Sequence, residues 1–141
     1  MKLLNIILIA LLAITGSAFA GQDKVKAGFI YVGPTGDHGW TYRHDIGRQD
    51  VEKHFGDRVE TTFVESVAEG PDAERVMTQM ALQGHDIVFA TSFGYMDHML
   101  KVAGKNKDTV FMHATGYKGN DKNMDNYVCH SFQARYLTGI A

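Results

Sequence analysis

The chain has 141 residues, 14 Lys and Arg against 16 Asp and Glu, a formal charge of −2, and one cysteine, Cys129. That mild balance leaves no basic footprint for nucleic acid, and a lone cysteine excludes an internal disulfide within this segment. Cys129 reads most simply as a small buried hydrophobe.

Residues 1–20, MKLLNIILIALLAITGSAFA, begin with one lysine, run through an apolar core and end in Ala18-Phe19-Ala20. This is the pattern of a secretory signal with an A-x-A cleavage site. A membrane anchor fits less well, because the apolar run is short and polar GQDKVK follows at once. The signal directs the chain out of the cytoplasm. Lys2 is its one charge, so the remainder carries a formal −3. Residues 21–141 are enough for one domain with a core. The terminal ARYLTGIA resembles the opening of an amphipathic helix with no stop signal, so the chain is expected to be a fragment of a longer protein.

After the signal, strand and helix patterns alternate. VKAGFIYV (25–32) is β-branched and aromatic, a buried-strand pattern. A glycine-containing loop leads to a helix over 39–55, with Trp40, His44, Gly47, Val51 and Phe55 as its expected buried stripe. Gly47 there permits close approach to the sheet, and Gly56 is the stop. RVETTFVES (58–66) is the second strand. Pro71 opens the next helix, Ala73, Val76, Met77 and Met80 form its stripe, and Gly84 ends it. DIVFAT (86–91) is the third strand, 94–105 a helix closed by Gly104, and DTVFMHAT (108–115) the fourth strand. A polar loop spans 116–126, YVCHSF (127–132) is read as the fifth strand, and a last helix starts near Ala134. This order predicts an α/β domain with right-handed crossovers and a parallel sheet covered by helices on both faces.

In such sheets ligands collect where strands end and helices begin. Three loops meet there: GPTGDHGW after strand one, TSFGY (91–95) after strand three and HATGY (113–117) around the end of strand four. Gly33, Gly36 and Gly39 give G-x-x-G-x-x-G rather than a dinucleotide fingerprint. Pro34 removes one backbone donor, and no Gly-Lys-Ser/Thr is present. Asp37 already stands at the positive pole of the first helix, where a phosphate would go. Asp37, His38 and His44 lack the spacing of metal ligands, and His44 fits a structural histidine on the helix stripe. Ser66, Ser92 and Ser131 lack a G-x-S-x-G setting, although His113 could approach Ser92. The remaining reading is a small-molecule pocket. Trp40, Phe93 and Tyr95 or Tyr117 would supply flat faces, Asp37 a hydrogen-bond acceptor, and Ser92 a hydroxyl for the turn or the ligand. Core packing for Trp40 and pure capping for Asp37 stand beside that reading.

The blocks KVKAGFIYVGPTGDHGWTYRHDIGR, GPDAERVMTQMALQGHDIVFATSFGYMD and QARYLTGIA, in that order behind a signal, resemble the basic-membrane-protein family of solute-binding proteins. These serve ABC importers, and characterised members bind purine nucleosides or bases. The resemblance implies a type I periplasmic binding fold of two lobes closing on a ligand, with residues 21–141 as the first lobe. It implies a soluble periplasmic monomer that passes its ligand to ABC membrane subunits, uses no cofactor or metal, and is not an enzyme. Many members carry D-x-S-F-N at the helix entry, with the aromatic stacking on the base. Here Asp37 matches the acid and Trp40 the aromatic, while Thr41 stands at the amide position and departs from the pattern. That GDHGWTY variant looks closer to binders of purine bases such as adenine. Phe93 and Gly94, flanked by Ser92 and Tyr95, match the family's loop after strand three. Two alternatives are a secreted α/β nucleoside-processing hydrolase and a ligand sensor for a membrane signalling partner.

Overall fold

The structure, a computed structural model, describes residues 24–128 and 131–140. The expected signal, residues 1–20, and Cys129 lie outside the described residues. Five strands form one parallel sheet in the order β2-β1-β3-β4-β5: β1 Val25–Ile30, β2 Val59–Val64, β3 Ile87–Ala90, β4 Val110–Ala114 and β5 Met124–Tyr127. The helices are α1 Trp40–Phe55, α2 Pro71–Leu82, α3 Met96–Lys105 and α4 Ser131–Ile140. Short 3-10 turns lie at Gly56–Arg58 and Phe93–Tyr95.

The main core lies between the sheet and the α2–α3 pair. Ile30, Val88, Ala90, Phe111 and Met124 pack there against Ala73, Val76, Met77, Met80, Met99 and Val102. The stripe expected on α2 is thus the one that is buried. The opposite face is thinner. Ala27, Phe29 and Tyr31 form a small cluster with Val59, Ile87 and Phe89. A groove of about 480 Å³ beside α1 is lined by Val25, Phe29, Val51, Phe55, Ile87 and Phe89. α1 flanks this face, so helices lie on both sides of the sheet as expected, and the groove marks where its cover is thinner.

Three sequence expectations are corrected here. First, α1 buries Thr41, Asp45 and Arg48, not the stripe of Trp40, His44, Gly47, Val51 and Phe55. Arg48 is satisfied in place. It bonds Asp45 at 2.7 Å, Glu52 at 3.0 Å and Thr61 at 2.9 Å, and lies over the Phe63 ring at 4.8 Å. A charged residue whose Nε and Nη1 donors are met can face a sheet, and apolar periodicity does not register it. Val51 and Phe55 of that stripe instead border the open groove, and a Cβ at Gly47 would meet nothing within 4 Å. Second, α3 runs through Gly104 to Lys105, and Asn106 closes it by donating both its backbone N–H and its side-chain amide to the Val102 carbonyl.

Third, the fifth strand is Met124–Tyr127 rather than 127–132, and α4 already begins at Ser131. Two asparagines set this register. The Asn120 carbonyl oxygen accepts the N–H groups of Lys122, Asn123 and Met124. The Asn123 amide donates to the carbonyls of Ala103, Asn106 and Thr109 at 2.8–3.2 Å. The chain is thereby pinned to the α3–β4 turn, and pairing starts at Met124. Asn123→Ala would leave those buried carbonyls short of a donor, at a cost of about 1–3 kcal/mol in a urea unfolding curve.

Candidate functional site

β1 sits between β2 and β3, so the chain leaves β1 toward one side and returns from β2 to the other. The C-terminal end of β1 is therefore a topological switch point, the place where open α/β sheets bind ligands. Three non-glycine residues adopt positive φ: His38 at 53°, Ser66 at 57° and Thr115 at 66°. They lie in the loops that follow β1, β2 and β4, all at this one edge. Left-handed backbone costs a side-chain-bearing residue roughly 1–2 kcal/mol, and such strain gathers at binding sites.

Asp37 caps α1. One of its oxygens accepts the Gly39 N–H at 2.7 Å and the Tyr42 N–H at 3.1 Å. The Gly39 amide above all holds the carboxyl below its usual range, although it is fully solvated. Thr41 is 1% exposed, and its hydroxyl oxygen accepts the Gly33 N–H at 3.2 Å, so it shapes the loop from beneath. Trp40 is 42% exposed. Its indole N–H donates to the Thr91 carbonyl at 2.5 Å, and one edge meets the His44 ring at 4.6 Å. The ring is fixed in orientation while much of it stays open to solvent.

The loop after β3 is held from two sides. The Ser92 hydroxyl donates to Glu69 at 2.5 Å, and the Gly94 N–H donates to the same oxygen at 3.1 Å. A side chain at Gly94 would overlap that carboxylate. From below, His113 is fully buried and bonds the Ser92 carbonyl through Nε2 at 2.8 Å. Phe93 is 56% exposed and its ring lies 6.2 Å from that of exposed Tyr117. Tyr95 is placed differently from expectation. It is completely buried, and its hydroxyl donates to the Val67 carbonyl at 2.5 Å, tying α3 to the β2–α2 loop. Burial pushes that phenol well above its usual pKa. Its ring is core, and Tyr117 is the exposed partner of Phe93.

Trp40, Asp37, Ser92, Phe93 and Gly94 therefore come together at one edge, with Thr41 and Tyr95 beneath them. Ser92 and His113 do meet, but through the serine carbonyl. The hydroxyl faces a carboxylate, so no serine–imidazole nucleophile is assembled. Among the described residues no cluster of three or more His, Cys, Asp or Glu is arranged to hold a metal. Sequence reasoning missed Glu69. Its position in the β2–α2 loop, next to Gly70-Pro71 and at the same strand ends, is the signal that could have found it.

His113 leaves Nδ1 without a partner, as does the Asn126 carbonyl oxygen, and a side chain at Gly116 would overlap both. Burial lowers the pKa of His113, and of His44 beside Trp40. A depressed histidine binds fewer protons folded than unfolded. Its stability contribution is complete above the ordinary histidine value of about 6.5 and is lost as pH falls below it. Melting temperature should accordingly drop on acidification below that value, and His113→Gln should flatten the slope.

A family model described as ABC transporter substrate-binding protein, PnrA-like (Bmp), matches residues 24–141. The chain belongs to this family. A purine-binding protein of Brucella abortus is 51% identical over 125 residues, covering 89% of this chain and 35% of the relative. A Haloferax volcanii protein named for ABC-transporter glucose binding is 43% identical over 119 residues, covering 84% of this chain and 30% of the relative. The chain thus spans about a third of the length of these relatives. Among solved structures, an ABC-transporter solute-binding protein of Conexibacter woesei superposes with a TM-score of 0.69 at 23% identity, covering 82% of this chain and 38% of that one. One from Aeropyrum pernix gives 0.68 at 18% identity, with 82% and 31% covered. At these identities the likeness shows the α/β fold alone.

Proposed function

We propose that this Bmp-family chain is the first lobe of a periplasmic solute-binding protein that delivers a purine base or nucleoside to the membrane subunits of an ABC importer. The observation that carries this reading is the Trp40 ring, locked by its N–H to Thr91 yet 42% exposed at the switch point. A purine offers two apolar faces and a polar edge. An immobilised indole covers a face at little entropic cost, and acceptors at the rim read the edge. A second lobe would close on the other face and exclude water, and the ligand would favour the closed form by bonding both lobes. No step in that cycle changes the ligand. Residues 1–20 act as the cleaved signal that places the protein in the periplasm, and it works there as a monomer.

Purine is preferred to sugar because the Brucella relative named for purine binding is the more similar of the two curated relatives, at 51% against 43% identity. A thermal-shift screen of the full-length protein against nucleobases, nucleosides and glucose tests the choice, since a ligand that binds the folded state raises its melting temperature. A shift with adenine or adenosine supports the purine reading. A shift with glucose alone, or turnover of a nucleoside, contradicts it.

A further inference from the structure

We propose that Glu69 is the specificity-determining residue of this site, selecting ligands that present an N–H donor edge, so that an amino-substituted purine is taken in preference to its oxo counterpart. This rests on the purine reading above. Glu69 comes from the β2–α2 loop, yet its carboxylate is fastened to the loop after β3 by the Ser92 hydroxyl and the Gly94 N–H. Ser92 lies directly between Thr91, whose carbonyl holds the Trp40 indole, and exposed Phe93. The carboxylate is therefore fixed on the loop that orients the Trp40 indole through Thr91 and carries exposed Phe93. Both intramolecular bonds fall on a single oxygen, Oε1. The other oxygen, Oε2, has no hydrogen-bond partner among the described residues.

A fixed carboxylate oxygen accepts hydrogen bonds and cannot donate them while ionised. Placed against the 6-substituent of a purine, it bonds an exocyclic amine and repels an exocyclic carbonyl oxygen. Of the other acids in the loops at this edge, Asp37 is engaged in capping α1, and Glu65 accepts the Thr35 N–H at 2.7 Å. Glu69 is thus the acid held within the loop that carries an aromatic face. Gly94 belongs to the same device, because any side chain there would displace the carboxylate.

Glu69→Gln isolates the claim. The glutamine carbonyl oxygen can still accept from Ser92 and Gly94, so the loop keeps its fastening, and only the free corner changes from acceptor to donor. Isothermal titration of the full-length protein with adenine and with hypoxanthine reports affinity and active fraction separately, so partial unfolding lowers the stoichiometry and leaves the affinity ratio intact. Wild type is expected to prefer adenine. The variant is expected to bind adenine about tenfold more weakly, the scale of a hydrogen bond to a charged group, with hypoxanthine unchanged or tighter. An adenine-to-hypoxanthine ratio that stays at its wild-type value, or a wild-type preference for hypoxanthine, overturns the proposal while leaving purine binding in place. A wild type that binds neither base overturns the purine reading and this proposal with it.

Discussion

Trp40→Ala in the full-length protein is expected to weaken purine binding by about 1–3 kcal/mol, the scale of base stacking on an aromatic side chain. The fold should survive it. Trp40 begins α1 rather than filling the core, and 42% of it is already exposed. Trp40→Phe should recover part of the loss, since it restores a flat face without the N–H that orients the indole on Thr91. Titration of both variants, with circular dichroism to confirm folding, separates lost stacking from lost structure. Equal affinities for wild type and the alanine variant would remove Trp40 from the site.

The largest stability effect is expected at Arg48. Its side chain and that of Asp45 are about nine-tenths buried, 2.7 Å apart. Asp45 also accepts from Gln49 at 2.7 Å and, weakly, from the Tyr31 hydroxyl at 3.4 Å. Arg48→Ala leaves that carboxylate facing the sheet without its cation, and breaking a buried pair from one side costs about 3–5 kcal/mol. Glu52 is 44% exposed at its side chain, so its share of the pairing adds little. Removing both charges with Asp45→Leu and Arg48→Met should cost less than Arg48→Ala alone, because no stranded charge remains. Urea unfolding of the three proteins decides the point. A double variant less stable than the single one would show that the network stabilises beyond relieving its own burial.

The order of elements was legible because apolar runs and glycine or proline stops alternated along the chain. Pro71 and the Ala73–Met80 stripe placed α2, and Asp37 announced its capping role. The convergence of three loops at one edge followed from strand alternation alone. What escaped the sequence were contacts between segments far apart in the chain. The buried face of α1 depends on Arg48 meeting Thr61 and Phe63 of β2. Tyr95 turned inward because the Val67 carbonyl, 28 residues earlier, takes its hydroxyl. β5 was misplaced because its polar residues follow an asparagine-pinned turn instead of an apolar run. Glu69 was missed although its place beside Gly70-Pro71 put it at the strand ends, since its meeting with Ser92 and Gly94 across the sheet edge has no local sequence pattern.

The most direct test is a crystal structure of the intact protein with adenine bound. The account predicts the purine plane lying on the exposed face of Trp40 at about 3.5 Å, ordinary van der Waals contact for ring carbons, with the indole N–H still on Thr91. A ligand found elsewhere, with the Trp40 ring covered by protein, would contradict it.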